Sequence, residues 1–121
     1  MRAVLVAVAG AAGALVRYGI ASAVGSRGFP WATLAINVSG SFLLGLVLTV
    51  AQGRGWSPNL TTPVAVGFLG AYTTFSTFAW EGLDLGRDDR LGVAALYVAA
   101  SVVLGLLAAA AGWGVGSLGR G

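Results

Sequence analysis

The sequence predicts an all-α integral membrane protein built from four transmembrane helices. Three observations lead there. First, 57% of its 121 residues are hydrophobic and only 9% are charged, whereas a soluble domain carries about 25% charge. Second, the charges cluster and leave four long apolar windows, each close to the roughly 20 residues that a spanning helix needs. Third, the run Gly70-Ala71-Tyr72-Thr73-Thr74-Phe75-Ser76-Thr77-Phe78 lies inside the third window. Hydrocarbon cannot satisfy its hydroxyls or a loosened backbone, so something polar must sit there.

The windows are placed at about 3–24, 31–51, 63–80 and 92–113, giving one four-helix membrane domain over 1–121 with a frayed tail at 114–121. The first opens on Met1-Arg2 and contains Arg17. It is read as a span and not as a cleaved leader, because Arg2 is a thin positive region and three similar windows follow. The second is entered through Phe29-Pro30-Trp31, and the third begins at Pro63. Gly and Pro punctuate the loops 25–30, 52–62 and 81–91. Trp31, Trp56, Trp80 and Trp113 fall near the expected ends, as an aromatic belt places them. Gly70 followed by two threonines can break the third helix at mid-membrane and turn freed carbonyls inward. Gly40, Gly45, Gly105 and Gly112 are expected to let backbones approach closely.

All seven basic residues are arginines, and His and Cys are absent. That excludes a histidine metal site, a lysine Schiff base, disulfides and thiolate catalysis. Enzyme chemistry is not expected, since the hydroxyls have no histidine or lysine base. The net charge of +3 comes from isolated arginines near membrane borders, which reads as interfacial anchoring and not as a nucleic-acid footprint. Four spans put Arg2, Arg54 and Arg120 on one side. Arg27, Arg87 and Arg90 fall on the other, with Arg17 near them. A balance so even gives no orientation by the positive-inside rule. The reading adopted is dual-topology insertion, with two opposed copies pairing about an axis in the membrane plane. The alternative is a fixed topology set by other features.

Asn37 lies about two turns inside the second window, with Thr33 and Ser41 on the same face at i−4 and i+4. Its carboxamide can glue helices together, at about 0.6–2 kcal/mol, or donate to an anion. Tyr97 and Ser101 share a face of the fourth helix, followed by Gly105, and form either packing or part of a polar track. Phe75 and Phe78 project from one face at i and i+3. Their ring edges, the positive part of the quadrupole, can touch an anion. Ser76 and Thr77 add hydroxyl donors beside them.

At these residues the chain resembles the Fluc (CrcB) fluoride ion channels. Residues 67–78, Gly-Phe-Leu-Gly-Ala-Tyr-Thr-Thr-Phe-Ser-Thr-Phe, are similar to that family's third-helix pattern G-F-x-G-x-x-T-T-F-S-T-F. Residues 33–42 resemble its T-L-x-x-N-x-x-G-S-F, and residues 13–18 its G-A-x-x-R-Y. The resemblance covers the whole chain. It implies a fluoride-selective channel that exports the ion passively across the cell's inner (plasma) membrane. The functional unit would be an antiparallel homodimer, or a pair with an oppositely oriented paralogue, containing two pores. It further implies Asn37, Phe75 and Phe78 as pore residues. Tyr97, Ser101, Thr77, Ser76 and Thr33 would belong to the polar path. A structural Na+ would be held by the carbonyls of Gly70 and Thr73. Glu81 would stand near a pore mouth. Arg17 would either draw anions into a vestibule or anchor the first helix. Gly105 departs from the pattern, since some relatives carry serine there.

Fluoride holds its water tightly, so a pore must replace that shell with close donors that are individually weak enough to release the ion. The nearest rival is a small dual-topology multidrug transporter, which needs an intramembrane carboxylate. Glu81, Asp84, Asp88 and Asp89 are all expected in the third loop or at its edge, which disfavours it. A non-conducting assembly subunit is the other alternative, and it does not call for the hydroxyls and rings of the third window.

Overall fold

The computed structural model describes residues 1–25 and 28–119, and it is helical through most of its length. Arg27 and Arg120, which enter the charge balance, lie outside the described residues, as does the end of the expected frayed tail. Three helices are long and apolar enough to cross a membrane: α1 (Arg2–Val24), α2 (Trp31–Arg54) and α6 (Leu91–Gly116). They match the first, second and fourth windows. α2 runs three residues further than expected, to Arg54, and stops where Gly55 takes a left-handed conformation (φ 62°, ψ 42°) with its N–H on the Ala51 carbonyl. α6 likewise continues to Gly116, so residues 114–116 are helical and not frayed.

The third passage differs from a single helix. It comprises α3 (Pro58–Thr62), a π-helical segment Pro63–Leu69, α4 (Gly70–Tyr72) and α5 (Phe75–Arg87). Ser57 caps α3 by accepting from the Asn59 N–H at 3.1 Å. The change of register begins at Pro63, whose missing N–H removes one rung of the α ladder. Between α4 and α5 the backbone is extended at Thr73 (φ −82°, ψ 157°) and Thr74 (φ −147°, ψ 120°). α5 then continues seven residues beyond the expected end of the third window. Glu81 and Asp84 therefore lie on a helix, not in a loop, and Trp80 sits in mid-helix. The charges that mark a loop in the sequence are accommodated along one side of α5, where Leu85 is buried while Asp84 and Arg87 are exposed.

Small residues set the helix spacing. α2 lies along α6, where a Cβ on Gly112 would overlap the Phe42 carbonyl and one on Gly45 the Ala109 carbonyl. α1 lies along the π-helical segment through Gly13, which abuts the Phe68 carbonyl. Gly40 meets the Thr73 side chain in the same way. Gly105 does not follow the expectation, because a Cβ there has ordinary van der Waals room. Buried residues form two small clusters on either side of α2. One is Leu34, Leu85, Ala94 and Tyr97, and the other Ile36, Leu69 and Tyr72. α2 is the central element: 28% of its apolar window is buried, against 6% for α1 and 11% for α6. The remaining apolar surface suits lipid or a second chain.

Candidate functional site

The extended pair Thr73–Thr74 organises the site. A helix that stops at Tyr72 leaves its last carbonyls without intrahelical donors. Leu69 O is taken by the Thr73 N–H at 3.1 Å and the Thr73 hydroxyl at 2.9 Å. Ala71 O accepts from Arg17 Nε at 3.1 Å. Of the two roles weighed for Arg17, this contact is the anchoring one: it ties α1 to the interrupted passage. Tyr72 is held from α2, its hydroxyl 2.9 Å from Ser39 Oγ, and its ring stacks on Phe68 at 6.0 Å.

Asn37 closes the gap from the other side. Its Nδ2 donates to the Thr74 carbonyl at 2.9 Å, and its Oδ1 accepts from the Thr74 N–H at 2.8 Å. The carboxamide thus supplies the backbone of Thr74, between α4 and α5, with a donor and an acceptor. One amide N–H remains free to donate. Glue and anion donor, the two readings of Asn37, are therefore compatible in a single residue.

Thr74 also starts α5. Its hydroxyl accepts from the Thr77 N–H at 3.3 Å and donates to the Thr77 hydroxyl at 3.1 Å, an N-cap that leaves the other first-turn N–H groups of α5 pointing away from the helix. Two half-helix ends of opposite sign thus meet here. The carboxyl end of α4 favours a cation, and the amino end of α5 favours an anion. Beside them lies a cavity of about 270 Å³ lined by Asn37, Ser41, Gly70, Thr73, Thr74, Phe75 and Phe78, among others.

Phe75 and Phe78 adjoin, with ring centroids 5.8 Å apart and planes tilted by 56°. Phe75 is 79% exposed, whereas Phe78 is half-buried and reaches Tyr97 at 5.2 Å. Tyr97 is fully buried among Phe29, Phe78 and Thr33, and its hydroxyl donates to Glu81 Oε1 at 3.3 Å. Phe29 stands edge-on to Tyr97 at 5.4 Å. The sequence does not single it out, because a ring next to Pro30 at a helix entry carries no sign of pointing inward. Ser101 Oγ is buried without a hydrogen-bond partner.

The expected residues therefore form two adjoining groups. Asn37, Gly70, Phe75 and Phe78 surround the extended pair Thr73–Thr74, and Thr33, Tyr97, Glu81 and Phe78 make the second group, with Phe78 common to both. Ser76 and Thr77 lie exposed on the first turn of α5, Thr77 bonded to the Thr74 hydroxyl and Ser76 apart from both groups. Among the described residues no cluster of acidic side chains could hold a metal ion. The oxygen atoms around the extended pair are backbone carbonyls, hydroxyls and the Asn37 carboxamide.

Fold and site together define a small helical membrane protein with polar groups and helix ends gathered along one face of an apolar bundle. The chain belongs to the CrcB family: the family model described as "CrcB-like protein, Camphor Resistance (CrcB)" matches residues 4–113. It is 50% identical over 114 residues to "Fluoride-specific ion channel FluC 2" of Geobacillus kaustophilus, covering 89% of this chain and 87% of that one. It is 44% identical to "Fluoride-specific ion channel FluC" of Acidobacterium capsulatum, covering 97% of both. A protein of the same name from Thermus thermophilus is 45% identical, over 95% of this chain and 93% of that one.

Proposed function

We propose that this chain is a fluoride-selective channel that lets the membrane potential drive F− out of the cell. The observation that carries the reading is the Asn37 clamp on Thr74. It fixes an interrupted backbone beside exposed Phe75 and a cavity with a free amide N–H. In this reading the interruption lies at mid-membrane in the third span. Fluoride exchanges its water for the Asn37 amide, the hydroxyl groups and the ring edges of Phe75 and Phe78, none of which binds it too tightly to leave. Hydrogen fluoride enters a cell as the neutral acid and dissociates in the more alkaline interior, so a passive pore in the inner (plasma) membrane suffices for export.

The functional unit is an antiparallel dimer of this chain, or a pair with an oppositely oriented paralogue, with two pores. Gly70 is exposed, and its carbonyl stands at the open end of a half-helix. Left against lipid it would be unsatisfied, so a second copy covering this face is the physical remedy. The carbonyls of Gly70 and Thr73 are hard oxygen donors of the kind that suit Na+, and one chain supplies too few to complete a shell. Bound there, Na+ would neutralise the converging carbonyl dipoles of two opposed chains. Reconstitution in a bulky organic cation in place of Na+ is expected to cut fluoride efflux severely, measured with an electrode; unchanged efflux counts against the cation site.

Expression in a fluoride-sensitive bacterial strain tests the function. Growth is expected at fluoride levels that stop the empty-vector control, and equal inhibition of both strains would contradict the reading.

A further inference from the structure

Ser41 lies one turn beyond Asn37 on α2 and lines the cavity that holds Phe75 and Phe78. A serine inside a spanning helix ordinarily returns its hydroxyl to a carbonyl three or four residues back, as Ser39 does to Ile36 at 3.1 Å. Ser41 makes no such bond: among the described residues its hydroxyl has no hydrogen-bond partner, although the residue is half-buried. Opposite it, on α6, stands Gly105. A Cβ on Gly105 would have a single neighbour within 4 Å, Ser41 Oγ at 3.9 Å. The glycine is therefore not there to bring backbones together. It leaves room that a methyl group would fill at ordinary contact distance, faced by a hydroxyl. One turn earlier on the same face of α6 is Ser101, whose buried Oγ is also without a partner.

Both hydroxyls are unpaired on packed helices, Ser41 beside the room left at Gly105 and Ser101 buried, and a buried unpaired hydroxyl such as that of Ser101 is costly unless something polar visits. We propose that Ser41 is a fluoride-binding group, and that the opening over Gly105 lets the ion pass between the Ser41 and Ser101 hydroxyls. Ser41 then joins the phenylalanine cavity to the hydroxyl row of α6. The inference rests on the fluoride-channel reading. It adds a binding residue to the path and gives Gly105 a role as an opening in place of a side chain.

The test is fluoride efflux from liposomes at graded fluoride concentrations, with wild type, Ser41→Ala, Ser41→Thr and Gly105→Ala side by side. Loss of a hydrogen bond to an ion should slow efflux by about tenfold in Ser41→Ala and raise the half-saturating fluoride concentration. Ser41→Thr, which keeps the hydroxyl, should restore both. Gly105→Ala meets only ordinary contact distance, so it should fold as wild type does yet slow efflux by filling the opening. Wild-type rates and half-saturation in both Ser41→Ala and Gly105→Ala would overturn the inference and leave the channel reading standing. A silent wild type would overturn the channel reading and this inference with it.

Discussion

Asn37→Ala is expected to abolish fluoride efflux and to destabilise the protein. The substitution removes both hydrogen bonds to Thr74 at once. It leaves the Thr74 N–H and carbonyl without their partners at a half-buried position. Each bare group costs about 1–3 kcal/mol, so roughly 2–6 kcal/mol is lost from the local fold. If only about 3 kcal/mol of that reaches the conducting state, efflux falls about a hundredfold. Asn37→Asp separates the two bonds. An ionised carboxylate keeps the acceptor for the Thr74 N–H, loses the donor to the Thr74 carbonyl, and places negative charge in an anion path. It should therefore block flux at least as fully as alanine, and thermal stability in detergent should fall as well, because the carboxylate oxygen faces the Thr74 carbonyl. Flux near wild type in Asn37→Ala would show that the extended segment is held without the clamp.

The second large effect is expected at the two phenylalanines, and the structure separates their costs. Isoleucine keeps the apolar bulk and deletes the ring edge. Phe75 is mostly exposed and meets Phe78 alone among the rings. Phe75→Ile should thus leave assembly and thermal stability close to wild type while flux is crippled. Phe78 also packs against Tyr97 at 5.2 Å. Its replacement should cost a further 0.5–1.5 kcal/mol or so in ring contacts, with flux again crippled and the protein still folded. The comparison reads efflux against melting temperature for each variant. Normal flux in both would remove the ring edges from the mechanism.

Much of this is legible in the chain. The windows around α1, α2 and α6 are set by length and hydropathy, properties local to each segment, and their positions agree with the helices to within three residues. The knot at residues 70–78 is visible because hydroxyls in an apolar run demand partners. The partners themselves are not visible. Asn37 reaches the Thr74 backbone across 37 residues of sequence, and Arg17 reaches the Ala71 carbonyl across 54. Backbone acceptors leave no mark in side-chain spacing. The third window ends too early, at Trp80, because four acids over residues 81–89 look like a loop. In the structure Glu81 turns toward Tyr97 and Arg87 lies over the Trp80 ring at 6.0 Å, so helix and charge coexist. Gly105 misleads for a related reason: small residues signal close packing or an opening equally well, and only the facing side chain decides between them.

The most direct measurement is efflux from liposomes that contain the purified protein. One set is loaded with fluoride and a matched set with chloride, each followed by an ion-selective electrode. A fluoride-selective channel gives rapid fluoride release, and its chloride traces are indistinguishable from protein-free vesicles. Absence of fluoride release from well-folded protein, or equal release of both ions, would contradict fluoride-selective conduction by this chain.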